Sequence, residues 1–296
     1  MPGSSQHPTV QIREFTVSGP DAGPYALVEG PDGCLWCTLV HQDRVVRRSP
    51  DGRLTEFAVG PGPMVITSGP DGALWFTEGR AHRIGRLSVD GVTTSFTPST
   101  ADGGPFGIAA GADGAVWFTL TMAGRIGRIT PDGTITEFPA LGDFPSAITA
   151  GPDGAMWYTL NAADAIGRIA ADGAARVYPL PTASAGPVGI TLGPDGALWF
   201  VEIGAGQVGR ITVDGDIAEF PLPDQQARPH AITAGPDGAL WFTEWGTGRV
   251  GRITLGGAID SFPLSRPDGE PHGIAVHDGA LWCAMETGAL ARIGIA

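Results

Sequence analysis

Residues 228–253 read RPHAITAGPDGALWFTEWGTGRVGRI, and the fold follows from this stretch. Pro236-Asp237-Gly238 stands between two apolar runs. It marks a hairpin, because proline pre-sets φ and glycine takes the positive φ of a tight turn. Leu240-Trp241-Phe242 does not alternate polar with apolar. A strand of that kind is expected to be buried on both faces.

The stretch is one copy of a repeat. GPDGALWFTE appears at Gly69–Glu78 and Gly235–Glu244, and at Gly193–Glu202 with Val201 for threonine. Tryptophans recur at Trp36, Trp75, Trp117, Trp157, Trp199, Trp241 and Trp282, 39 to 42 residues apart. Arginines follow in register at Arg47, Arg86, Arg128, Arg168, Arg210, Arg252 and Arg292. A second turn, as at Asp90-Gly91 or Asp132-Gly133, leads to a last strand ending near an aromatic such as Phe96 or Phe138. Four short strands per unit, at a period of about 40, predict an all-β protein. The expected fold is a seven-bladed β-propeller of four-stranded antiparallel blades.

Closure of the ring is also legible. The seventh unit reaches Ala296 without an outer strand, whereas Gln11–Val17, QIREFTV, carries an outer-strand pattern with no unit before it. Residues 11–17 are therefore expected to pair with the last blade and cover an exposed edge. One domain over residues 1–296 follows, with residues 1–10 as a frayed N-terminus.

Composition narrows the function. Eighteen basic residues against thirty-one acidic ones give a formal charge of −13, unfavourable for nucleic acid or an anionic membrane surface. All the basic residues are arginine, which excludes a Schiff-base lysine and a P-loop. MPGSSQHPTV has neither the charged nor the apolar region of a signal peptide, and three cysteines fit a reducing compartment. The expectation is a cytoplasmic protein. Cys34 and Cys37, three apart on a strand, should point to opposite faces as packed thiols.

Residues found in every blade build symmetry, while one substrate needs an asymmetric site. The recurring tryptophans and arginines are thus read as structural, and the departures from the repeat as candidates. Before the proline of each first strand, four of the first five units carry glycine. The last two read Arg228-Pro229-His230 and Glu270-Pro271-His272. Glu270 and His272, two apart, should share a strand face, and folding back at Asp278-Gly279 brings Glu286 opposite them. His230 of the adjacent blade should face the cluster. Two carboxylates suit a hard cation such as Mg2+, and an uncommitted imidazole suits a general base. His277 lies at the opposite turn. His7, His41 and His82 receive no role, the last two for want of a carboxylate partner.

ARPHAITAGPDGALWFTEW (Ala227–Trp245), EPHGI (Glu270–Ile274) and AME (Ala284–Glu286) resemble the virginiamycin B (streptogramin B) lyase family over essentially the whole chain. The resemblance implies a monomeric propeller that confers antibiotic resistance. Such a protein linearises type B streptogramins, which are cyclic depsipeptides, by Mg2+-dependent β-elimination at the threonyl ester. On that reading His272 is the general base, Glu270 and Glu286 hold Mg2+, His230 contacts substrate and Tyr25 is a substrate-wall aromatic. Trp245 joins the substrate wall on position alone, one residue past the repeat at the same mouth. Phe106 is a departure that bears on substrate fit. Two other readings stay open: a metal-dependent lactonase or esterase, and a non-catalytic binding scaffold.

Overall fold

The computed structural model describes residues 8–295. Seven four-stranded antiparallel sheets form the blades of a closed propeller. Blade 1 runs through Pro24–Glu29, Leu35–Leu39, Arg44–Arg48 and Leu54–Ala58 from the inside outwards. Blades 2 to 6 repeat this order, with innermost strands starting at Pro63, Pro105, Pro145, Pro187 and Pro229. Blade 7 takes Pro271–His277, Ala280–Met285 and Ala289–Ile295 from the end of the chain. Its outer strand is Val10–Thr16, paired with Ala289–Ile295 in the register Val10↔Ile295 to Thr16↔Ala289. The closing strand is thus the one expected, begun one residue earlier. Of the expected frayed N-terminus, residues 1–7 lie outside the described residues. No helix among the described residues is long and apolar enough to cross a membrane.

Packing between blades follows from the second strand of each, whose residues are buried on both faces throughout. Trp117 of blade 3, for example, shares a core cluster with Met156 and Tyr158 of blade 4. Each repeat tryptophan also meets an outer-strand aromatic, as Trp75 stacks on Phe96 at 5.5 Å. The third strand supplies glycine where the second-strand aromatic lies across it: a Cβ on Gly85 would stand 2.2 Å from the Phe76 ring. Cys37 faces the blade 7 side and Cys34 the blade 2 side, as the strand period requires. Both are free thiols, and burial pushes Cys37 up to about 12.

The recurring arginines of blades 1 to 6 prove structural. In blade 2, Asp71 accepts the Trp75 indole N–H at 2.9 Å and the Arg86 Nε–H at 2.6 Å, locking the turn to the sheet. Threonines of the second strand tie each blade to the next: Thr77 Oγ1 donates to Phe106 O at 2.8 Å and Thr38 Oγ1 to Met64 O at 2.7 Å.

One buried carboxylate lacks its cation. Glu78 meets Arg83 at 2.9 Å and Glu244 faces Arg249 at 3.8 Å, but the matching partner of Glu202 is Gln207, at 2.6 Å. Glu202 Oε1 has no partner, and burial raises the carboxyl to about 7. A raised carboxyl pKa stabilises the fold below the unfolded-state value, and that contribution is lost as pH rises through about 7. Gln207→Arg is therefore expected to stabilise the protein by about 1–3 kcal/mol at pH 8 and by much less at pH 5. Urea midpoints at the two pH values check this; equal gains would contradict it.

Candidate active site at the propeller mouth

The residue before each innermost proline adopts a left-handed φ in all seven blades: Gly23, Gly62, Gly104, Phe144, Gly186, Arg228 and Glu270. Glycine suits this place, and another L-residue costs roughly 1–2 kcal/mol there. Glu270, at φ 41°, thus carries a conformational cost and leaves its carboxylate exposed at the rim. Glu270→Gly is expected to raise stability by about 1 kcal/mol while lowering activity, since the carboxylate rather than the turn is what the substitution removes. A urea titration beside an activity assay reads both; a destabilised or fully active variant would count against it.

His272 is set deeper. Pro271 pairs with Met285, and the register then shifts before Ile274, a bulge found in the innermost pair of every blade. Thr243 Oγ1 of blade 6 donates to His272 O at 2.8 Å, which fixes the strand start. The His272 Nε2 then lies 2.9 Å from Glu286 Oε2. A carboxylate only accepts, so Nε2 carries a hydrogen, while Nδ1 is buried and has no hydrogen-bond partner among the described residues. The Glu286 carboxyl is held below its usual range, first by the His272 hydrogen bond, against the opposing effect of burial, and then by His41.

Two rings complete the centre. Tyr25 lies 4.8 Å from the His272 ring and 6.0 Å from that of His230, and the two imidazoles stand 5.3 Å apart, edge to face. Burial, then the neighbouring His272, pushes His230 down to about 4, so it is neutral at physiological pH. Burial also raises the Tyr25 phenol, as does the Glu286 charge. The mouth therefore combines a carboxylate-anchored imidazole, a neutral imidazole and a phenol that stays protonated.

Other expected residues are placed differently. Glu270 is the cross-strand neighbour of Glu286, whose N–H donates to Glu270 O at 3.3 Å. No contact among the described residues joins the Glu270 carboxylate to His272 or Glu286. Trp245 sits beneath the Arg228 guanidinium, 5.5 Å from its ring centre, with its buried Nε1 unpartnered. It lines neither cavity of the mouth and axis.

His41 corrects the sequence reading. It does have a carboxylate partner, since its Nε2 lies 2.7 Å from Glu286 Oε1. Glu286 is thus gripped by imidazoles from blades 1 and 7. His41 stands in a loop beyond its strand, and only ring closure brings it beside a residue 245 positions away. His82 also has a carboxylate near it, Asp102 at 3.7 Å, away from the cluster.

Beside the histidines opens a cavity of about 570 Å³ that reaches His41, His230 and Phe106. Met64, Met122 and Phe144 form part of its apolar wall, and Met122 and Phe144 are exposed at its rim. Below it an axial channel of about 180 Å³ is bordered by Tyr25, Phe106 and His230.

The donor set fits a hard cation. Glu286 is ionised at neutral pH, and the rim carboxylate of Glu270 stands on the residue paired with it. No group of three or more His, Cys, Asp or Glu among the described residues is placed to hold a metal ion by itself. Two carboxylates leave positions for water and substrate oxygen, as Mg2+ prefers.

A seven-bladed propeller with a carboxylate-anchored histidine at an apolar mouth belongs to the class that carries a single asymmetric site on a repeating scaffold. The sequence profile of the virginiamycin B lyase family matches residues 10–293, and the chain belongs to that family. A virginiamycin B lyase from Streptomyces coelicolor is 67% identical over 58 residues, a segment that is 19% of this chain and 19% of that protein. The crystal structure of virginiamycin B lyase from Staphylococcus aureus superposes with a TM-score of 0.94 at 40% identity, over 97% of this chain and all of that one. The same scores hold for a catalytically inactive variant of that lyase with quinupristin. Hydrazine synthase of Kuenenia stuttgartiensis, at 16% identity and a TM-score of 0.74 over 95% of this chain and 97% of that chain, shares the fold alone.

Proposed function

We propose that this protein is a carbon–oxygen lyase that opens type B streptogramins, cyclic depsipeptides, by Mg2+-dependent β-elimination at the threonyl ester. It would act as a cytoplasmic monomer and give antibiotic resistance. The observation that carries this reading is the His272 imidazole held on Glu286 beside neutral His230 at an apolar mouth. Family membership and the likeness to a lyase solved with quinupristin support it.

His272 acts as the general base that takes the threonine α-proton, while Glu286 orients its ring and stabilises the imidazolium that forms. The electrons of the Cα–H bond become the Cα=Cβ double bond. The Cβ–O bond breaks, and its pair leaves on the carboxylate, which needs no strong acid to depart. Glu270 and Glu286 would hold Mg2+, whose chemistry here is Lewis-acid polarisation of the carbonyl beside the acidic Cα–H. His230, uncharged, presents hydrogen-bonding nitrogen to the substrate without repelling the imidazolium. Tyr25 and Phe106 wall the ring.

Mass spectrometry of the product decides the reaction. Elimination opens the ring with no change in mass, whereas a lactonase or esterase adds one water and a scaffold leaves the antibiotic intact. A product containing solvent oxygen would overturn the proposal.

A further inference from the structure

Six blades share a tie that the seventh lacks. In each, an aspartate four residues before the tryptophan accepts the indole N–H at 2.9 to 3.2 Å. Its second oxygen meets the repeat arginine, at 2.6 to 2.7 Å in five blades and 3.5 Å in blade 1. A carboxylate therefore stands between indole and guanidinium six times over. In blade 7 the turn is one residue shorter, His277-Asp278-Gly279 in place of Gly-Pro-Asp-Gly. Asp278 is itself the left-handed turn residue, φ 48°, and its exposed side chain makes no ion pair among the described residues. Trp282, 2% exposed, is left with an unpartnered Nε1. Arg292 keeps its register opposite Trp282 but has no carboxylate partner among the described residues.

A second departure converges on the same place. Where blades 2 to 7 have Leu87, Ile129, Ile169, Ile211, Ile253 and Ile293, all buried, blade 1 has Arg48. Its guanidinium reaches across to blade 7, 4.9 Å from the Trp282 ring centre and 5.0 Å from that of Phe15. It occupies the position over the indole that a blade's own repeat arginine holds in blades 1, 2, 3, 5 and 6. The result is a cavity of about 210 Å³ lined by Arg13, Arg48, Arg292, Trp282 and His277. Three guanidinium groups without carboxylate partners collect there, in a protein of net charge −13. Asp278 also lines it, and His277 is already engaged with Glu29 at 2.9 Å. A net cationic pocket remains.

We propose that this cavity, at the opposite end of blade 7 from His272, binds a small dicarboxylate. One carboxylate takes the place that Asp71 and its counterparts fill in the other blades, on Arg292 and the Trp282 N–H. The other is met by Arg13 and Arg48. In the filled blades one carboxylate oxygen accepts the indole N–H and the other meets the arginine, the arrangement a ligand carboxylate would reproduce on Trp282 and Arg292. This site is independent of the lyase reading.

The probe is succinate, titrated into the intact protein at low salt and followed calorimetrically and by Trp fluorescence. Saturable binding with Kd on the order of 1 mM or tighter is expected, with none for succinamide. Arg292→Gln should weaken it at least ~10-fold, leaving turnover at the mouth unchanged. Inserting a proline between His277 and Asp278 should restore the aspartate in cis, abolish succinate binding and raise Tm. If that insertion does not fold, Arg48→Leu serves in its place and should weaken binding. No saturation by about 20 mM, or binding unaffected by Arg292→Gln, would overturn the site. Inorganic phosphate binding as tightly as succinate would overturn its assignment to carboxylates.

Discussion

His272→Ala is expected to lower kcat by about 10²–10⁴-fold, the usual contribution of a positioned general base. Its ring lies against Tyr25 and His230, so some loss of substrate affinity should accompany the change, but the larger effect belongs to kcat. Stability should move little, because the side chain ends at the mouth rather than in a blade core, and the tie from Thr243 goes to the His272 backbone. Steady-state kinetics on a type B streptogramin, with a melting curve as control, makes the comparison. Full activity in a folded His272→Ala protein would remove the base from the mechanism. The anchoring of Nε2 by Glu286 makes a further distinction, since a base held in one tautomer loses rate when its carboxylate is replaced even where the imidazole remains.

Removing residues 1–17 should be more damaging to the fold than any single substitution. The strand Val10–Thr16 contributes a full ladder to Ala289–Ile295 and packs Phe15 on Trp282 at 5.5 Å. Loss of the partly buried Phe15 costs about 1–2 kcal/mol of apolar burial, and each ladder hydrogen bond adds roughly 0.5–1.5 kcal/mol. Together these rival the whole stability of a typical domain. The truncated chain is expected to lose cooperative unfolding or to associate through the exposed edge of blade 7. Circular dichroism melting and light scattering read the two outcomes; a monomer with an unchanged Tm would show that closure contributes nothing. Adding a synthetic peptide of residues 8–18 should restore part of the transition.

The blades were legible because seven copies of one phrase act as their own alignment. Trp75, Asp71 and Arg86 recur in register, and recurrence by itself separates scaffold from site. Closure by the N-terminal strand was legible for the same reason, an outer strand without a unit. At the mouth, sequence reasoning singled out Glu270, His272 and His230 as departures from the repeat and Tyr25 through the family resemblance, but not their conformations. The left-handed φ of Glu270 puts it before the strand, where simple alternation of faces does not apply. His41 escaped because nothing in its own unit marks it: its partner Glu286 is distant in sequence and near only across the closed ring. Trp245 shows the reverse limit, since position along the chain suggested the mouth while its ring lies under Arg228, outside both cavities.

The same seam has a consequence for how the molecule is made. Val10 is synthesised long before its partner Ile295, so blade 7 stays incomplete until residue 295 has been made. His41 and Glu286 meet only across that seam. Six blades can stack on the ribosome in turn, yet the contact between His41 and Glu286 waits for the most non-local of the pairings. A nascent chain halted before residue 289 would hold most of a propeller with its seam still open.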